Sequence, residues 1–278
     1  MQYWILQAFL TSREKPPIIE FSSPPRISKQ DYLRQTFGKE ISFEYRKRRY
    51  LYRFYSEDEG VMAAVIGRPH TATLTPREGF QSVDMTDWET ANVLIDTSGD
   101  ADGQKIAMQR TAHVRNPLEV FRALADFINH RNADTDWTIA VNAVSEKNEF
   151  WSAVRRYSGT LTELELVYIP PNVWGGQDET AKALKKLHSQ TNNDEVDVRI
   201  RNADGKLDLG GDIIKESVEY VTGGGGRAAL RVGKKKVFDT VSAVVTESPD
   251  VDIEVQQAPK GLLRALADRL LRQRHISQ

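Results

Sequence analysis

The sequence predicts an α+β fold of mostly antiparallel sheets, with interspersed helices, basic hairpin tips and a C-terminal amphipathic helix. Three observations predict it. Short β-rich runs such as VMAAVI (61–66), and alternating ones such as LTELELVYI (161–169), recur along the whole chain. Clusters of Gly, Asn and Asp between neighbouring runs supply hairpin turn chemistry. Helical segments fall among the strands irregularly, without the strict alternation that builds a parallel sheet.

Each element has its own signal. MQYWILQAFL is apolar, with no basic flank before it and no small-residue cleavage site after it, so it reads as a first strand rather than a signal peptide. Four prolines between 16 and 25 make an extended connector. Ser28 caps a helix, with Asp31 three residues on. Gly38 ends that helix, in the left-handed conformation that glycine tolerates best. Residues 41–55 are two strands around a basic tip at Arg46–Arg49, and VMAAVI is a buried strand. Residues 67–90, with Pro69, Pro76 and Gly79, read as a long loop or a subdomain boundary.

ANVLID (91–96) and QKIAMQRT (104–111) are strands about a TSGDADG turn. Asn116 and Pro117 open a helix whose buried stripe is Leu118, Phe121, Leu124, Ala125 and Ile128. A strand at 136–144, a helix at 145–157 and the alternating strand at 161–169 follow. Beyond a proline-glycine connector lie a lysine-rich helix and EVDVRIRN and KLDL about an Asn-Ala-Asp-Gly turn. Then come a helix at 213–221, the run Gly223–Gly226, two strands about Gly233–Lys236 and a strand at 250–256. The leucine-striped basic helix PKGLLRALADRLLRQR closes the chain. These elements suggest a β-rich unit over 1–89 and an α+β unit over 90–278.

Composition narrows the function classes. A 278-residue chain with 40% hydrophobic and 28% charged residues is globular rather than disordered, and no window reaches the length of a membrane helix. The absence of cysteine removes disulfides, thiolate metal sites and cysteine nucleophiles, and suits a reducing cytoplasm. Net charge is −1, which argues against coating nucleic acid through overall basicity. The basic residues nonetheless cluster, so local patches remain open.

Catalytic signals are sparse. None of the five histidines shares a helix face with another histidine or a suitably spaced carboxylate, so each reads as a surface or structural histidine. The glycine run follows a helix and precedes a strand, the reverse of a phosphate cradle, and reads as a helix stop with a flexible loop. Asp250, Asp252 and Glu254 would project from one side of one strand. They suit either a solvated edge or the carboxylates of a metal-dependent nuclease. No cofactor is implied.

Binding signals are richer. FEYRKRRYLYRFY (43–55) sets Arg46, Lys47, Arg48, Arg49 and Arg53 among six aromatic residues. The tip can reach phosphate oxygens, while the aromatics either stack on bases or build the sheet. Lys234, Lys235 and Lys236 make a second basic tip, and the two tips could straddle a duplex backbone. The closing basic helix fits a membrane surface, an oligomer interface or packing on the protein's own sheet.

DGQKIAMQRT (102–111), with Gly103, Ile106, Met108 and Arg110-Thr111 before a helix, resembles the central segment of the RexA phage-exclusion family. The later order is similar too: LTELELVYIPP, a lysine-rich helix, DVRIRNADG and a closing basic helix, so that residues 90 to 275 are covered. The DNA-binding KwaB subunits of Kiwa anti-phage systems are similar in the same style. The resemblance implies a cytoplasmic, self-associating protein, a homodimer or larger. It would bind double-stranded DNA with little sequence preference and act in phage defence beside a genetically linked, membrane-bound partner. It places Arg110 in the matched motif and leaves the 43–55 hairpin outside it. The expected function is therefore a non-enzymatic DNA-binding component of such a system, with RNA as another ligand. A metal-dependent nuclease and an interaction scaffold without nucleic-acid binding are the alternatives.

Overall fold

The computed structural model describes residues 1–12, 27–75, 79, 82–98, 104–169, 179–191, 193, 195–249, 256 and 258–272. Among them the strands are β1 (Gln2–Ser12), β2 (Ile41–Tyr45), β3 (Arg48–Asp58), β4 (Val61–Leu74), β5 (Val83–Asp96), β6 (Lys105–Arg110), β7 (Trp137–Ala143), β8 (Glu163–Tyr168), β9 (Val196–Arg201), β10 (Gly226–Val232), β11 (Lys235–Asp239) and β12 (Thr246–Glu247). The helices are α1 (Lys29–Phe37), α2 (Pro117–Arg131), α3 (Lys147–Arg156), α4 (Glu179–Thr191), α5 (Asp212–Tyr220) and α6 (Lys260–Ala267). The fold is α+β with antiparallel sheets. No helix among the described residues is long and apolar enough to cross a membrane.

The larger sheet has eight strands in the order β12-β1-β6-β5-β4-β3-β2, with β7 beside β12 on the same edge of β1. Its strands alternate between two apolar faces. Leu6, Ala8 and Leu10 of β1 pack with Phe43, Tyr52, Ile66 and Val93 under Leu33 and Phe37 of α1 and Leu118, Phe121 and Leu124 of α2. On the opposite face, Tyr3, Ile5, Ala63, Leu94 and Ala107 meet Leu263, Leu266 and Ala267 of α6 and Leu270 and Leu271 beyond it. The closing leucine stripe therefore packs on the protein's own sheet. Arg264 on its polar side pairs with Glu59 and Asp268.

Tyr52 shows what this core demands. Its ring is fully buried and its hydroxyl donates to the Phe37 carbonyl at 2.9 Å, tying β3 to the end of α1. Burial pushes the Tyr52 phenol well above its usual range. The folded state therefore keeps that proton where the unfolded chain, with an ordinary phenol near ~10, releases it. Stability is complete below about pH 10 and falls above it, by about 1.4 kcal/mol per pH unit from this group. Alkaline melts of the wild type and Tyr52→Phe should diverge in that window. Below it, the variant should lose about 1 kcal/mol with the hydrogen bond.

The smaller sheet runs β11-β10-β8-β9. Leu164, Leu166, Tyr168, Ala228, Leu230 and Phe238 face Phe150 of α3, Leu184 of α4 and Val218 of α5. Its other face is a ladder of opposite charges placed by register: Arg201 on Glu163 at 2.8 Å, Arg199 on Glu165 at 3.4 Å and Arg231 on Glu163 at 3.6 Å. The two sheets meet where Asn142 of β7 donates to the Gly224 carbonyl at 3.3 Å, and Ser145 N–H donates to the Thr222 carbonyl at 2.8 Å.

Several expectations are corrected. The stretch 67–90 is the far half of a β4–β5 hairpin whose register runs unbroken from Val61↔Asp96 to Leu74↔Val83. Pro69 is tolerated because β3 stops pairing at Gly67, which leaves the outer edge of β4 open. The expected division at 89/90 consequently falls inside β5, and the larger sheet draws strands from both sides of it. Gly38 is not left-handed (φ −78°). The glycine run is not a loose loop: Val221–Gly225 is a tight turn kinked at Gly224 (φ 99°), in which Gly224 and Gly225 are buried. Residues 206–209 form only an isolated bridge at Lys206 rather than a strand. The TSGDADG turn beyond Ser98 and the expected strand at 250–256, apart from Gln256, lie outside the described residues.

Candidate nucleic-acid interface

Register narrows the first basic tip to two residues. Tyr45 pairs with Arg48, so only Arg46 and Lys47 form the turn, while Arg48 and Arg49 are already in β3. Both turn residues are left-handed, with φ of 51° and 60°. A two-residue hairpin turn of this kind is normally Asn-Gly, because a Cβ in that region costs about 1 kcal/mol or more per residue. Arginine and lysine have no backbone reason to be there. Strain of this sort collects where side chains serve a function.

The aromatics of the hairpin divide by face. Phe43, Tyr50 and Tyr52 are buried, with Phe43 and Tyr50 stacked at 5.6 Å, so they build the sheet. Tyr45 is half-buried and carries the Arg46 guanidinium over its ring, 5.1 Å from the centroid. Burial, opposed by Arg46, raises its phenol pKa.

Behind the tip lies a hollow of about 530 Å³ lined by Tyr45, Arg46, Arg48, Tyr50, Arg68, Ala112, His113, Arg115, Asn116 and Val120. Three separate elements bring its cations together. Arg46 and Arg48 come from the β2–β3 hairpin and Arg68 from β4, while His113 and Arg115 come from the β6–α2 connection. That connection is folded by Thr111, whose N–H donates to the Val114 carbonyl (3.2 Å) and whose Oγ1 accepts from Val114 N–H (3.0 Å). Asn116, which caps α2 by accepting from Glu119 N–H at 3.2 Å, places the positive helix end on the same wall. None of the described lining residues is acidic.

Arg68 is held from behind. Its Nη2 donates to His113 Nδ1 at 3.0 Å and lies 3.5 Å from Glu89, its cross-strand partner in β5, and Glu89 also bonds His113 Nε2. Because arginine only donates, His113 accepts at Nδ1 and gives its Nε2 proton to Glu89. His70 stacks on His113 with centroids 6.2 Å apart and lies 3.8 Å from Glu89. Arg68 Nε is buried with no hydrogen-bond partner, a donor without an acceptor. A smaller hollow of about 310 Å³, lined by Arg48, Arg49, Arg68 and Pro69, shares Arg48 and Arg68 with the first.

The other expected site residues lie apart from this hollow. Arg53 is tied to Glu40 at 2.7 Å, and Arg110 reaches Gln2 at 3.4 Å. Lys234 sits in the two-residue turn of the β10–β11 hairpin on the smaller sheet, with Gly233 at φ 56°, and Lys235 begins β11. Lys236 pairs with Asp239 at 2.6 Å and lines a different cleft with Arg122, Arg227 and Arg231. The two basic tips thus belong to different sheets. In that cleft Arg122 donates to Val141 O and Asn142 Oδ1, each at 2.8 Å. Burial, with Arg227 nearby, lowers its pKa. Asp250, Asp252 and Glu254 fall outside the described residues, and among those described no group of three or more His, Asp or Glu could hold a metal ion.

Sequence reasoning missed Arg68, Glu89, His70, His113 and Arg115. The legible signal was the period-2 run HTATL against VDMTDWET, which a hairpin reading would have set opposite each other with Arg68 facing Glu89. The histidines, read singly, meet only through that pairing. No protein-family model, curated protein or solved structure matches the chain.

Proposed function

We propose that this chain is a non-enzymatic protein that binds double-stranded DNA with little sequence preference. In this proposal it is the cytoplasmic DNA-binding component of a bacterial anti-phage system, acting as a homo-oligomer beside a linked partner protein. The DNA-binding part is carried by one observation. Four arginines from three elements converge on a hollow with no acidic lining among the described residues, behind a turn in which an arginine and a lysine are left-handed. Guanidinium groups are suited to phosphate by their forked donors, and contacts to phosphate carry no sequence information. The defence role is supported by the resemblance of residues 90 to 275 to the RexA family.

The test is binding of unrelated short duplexes by fluorescence anisotropy at several salt concentrations. With about five phosphates neutralised, log affinity should fall with log salt at a slope of about −4 to −5, equally for each sequence. A slope near zero, or tight binding to one sequence alone, would overturn the proposal. Replacing Lys234 and Lys235 with alanine should leave the slope unchanged, because their tip lies on the other sheet. Magnesium-dependent cleavage sensitive to Asp250→Asn would instead favour the nuclease alternative, and preferential binding of RNA would reassign the ligand.

A second variant separates fold from function. Arg46→Asn with Lys47→Gly gives the turn the residues its backbone favours. It should raise stability by about 1 kcal/mol or more while weakening DNA binding. Thermal melts and anisotropy on the same preparation read both signs.

A further inference from the structure

Resting on the DNA-binding proposal above, we infer that the arginine hollow takes the terminal phosphate of a DNA strand rather than an internal one. The ligand class is a phosphomonoester, and three properties of the site point to it.

Shape comes first. The backbone of a duplex is convex, and an internal phosphodiester has a nucleotide on either side. It is reached by side chains that project outward and cannot enter a hollow unless both neighbours follow. A terminal phosphate has one neighbour and can. The cavity of about 530 Å³ lies within the range of small-ligand pockets and is large enough for a phosphate with its sugar.

Charge comes second. A phosphodiester carries one negative charge, whereas a phosphomonoester carries about −1.5 to −2 near neutral pH and offers three acceptor oxygens. The hollow holds Arg46, Arg48, Arg68 and Arg115, against Glu89 set behind Arg68 and Glu119 of the first turn of α2, whose charge reaches Tyr45. That surplus suits a dianion. The exposed Arg48 and Arg115, both on the wall of the hollow, supply the donors.

Continuity comes third. Arg48 and Arg68 are shared with the smaller hollow, which continues to Arg49 and Pro69. A strand whose terminal phosphate sits in the first hollow can leave across the second, with its next phosphates against Arg49. The half-buried Tyr45 ring holds the Arg46 guanidinium at the wall of the first hollow.

The experiment compares four probes on the full chain. They are a short duplex with 5′-phosphate ends, the same duplex with 5′-hydroxyl ends, a covalently closed circle of the same sequence, and deoxythymidine 5′-monophosphate alone. The phosphorylated duplex should bind about tenfold more tightly than the hydroxyl duplex or the circle. Arg115→Gln, an exposed position, should abolish that preference, so that all three DNAs bind with one common, weaker affinity. Arg48→Gln should do the same and guards against a folding defect in the first variant. Equal affinity for all three DNAs would overturn the end-recognition inference and leave DNA binding intact. Binding of the mononucleotide without any duplex would keep the phosphomonoester site and overturn the DNA ligand. Binding of none of the four would overturn both.

Discussion

Replacing Arg46, Lys47, Arg48 and Arg49 together with alanine is expected to flatten the salt dependence of DNA binding from a slope of about −4 to −5 to about −1. Each neutralised phosphate contributes about −0.9 to that slope by releasing condensed counterions, so four lost contacts remove most of it. Between about 50 and 200 mM salt, the wild type should lose affinity by a factor of about 250 to 1,000 and the variant by about fourfold. The fold should survive, since all four side chains are exposed and the aromatic core of the hairpin is untouched. Alanine still strains the left-handed turn, so Arg46→Asn with Lys47→Gly checks that any lost binding is not lost structure. A slope unchanged in both variants would remove the hairpin from the interface.

The largest effect on stability is expected from Gly226→Ala. Gly226 opens β10 directly opposite Tyr168, and a Cβ there would stand 2.0 Å from the Val167 carbonyl oxygen. Backbone, not a flexible side chain, is the obstacle, so β8 and β10 must separate at that point. The disruption should cost about 3 kcal/mol or more and lower the melting temperature by about 6 to 12 °C. Gly223→Ala is the internal control. Nothing lies within 4 Å of its Cβ position, and its effect should stay within about 0.5 kcal/mol. If the two variants melt alike, Gly226 is not packed against the Val167 carbonyl.

Gly226 also shows why part of the fold escaped sequence reasoning. The order helix, glycines, strand was legible. What the glycines do was not legible, because Val167, the neighbour of Gly226, is far away in sequence. The same holds for 67–90. Proline and glycine there suggested a loop, yet Pro69 lies on an open edge where a missing N–H is tolerated, and Gly67 packs beneath Trp88.

Local signals performed well where the physics is local. Ser28 accepts from Asp31 N–H at 3.0 Å, and Asn116 with Pro117 opens α2 as read. The stripe Leu118, Phe121, Leu124, Ala125 and Ile128 is buried throughout. These features depend on residues within one turn of each other, which share the same few backbone hydrogen bonds.

The sequence by itself determined the α+β class, most helix and strand positions, and a basic hairpin near residue 46. Periodicity and capping act over a few residues and need no partner. Only the tertiary structure decided which cations belong together. Arg46 and Arg48 are joined by Arg68 and Arg115 instead of Arg53, Arg110 or the second lysine tip, and Glu89 draws in His70 and His113. That grouping depends on strand order and register across distant segments, which burial of whole sheet faces fixes and which no local spacing records.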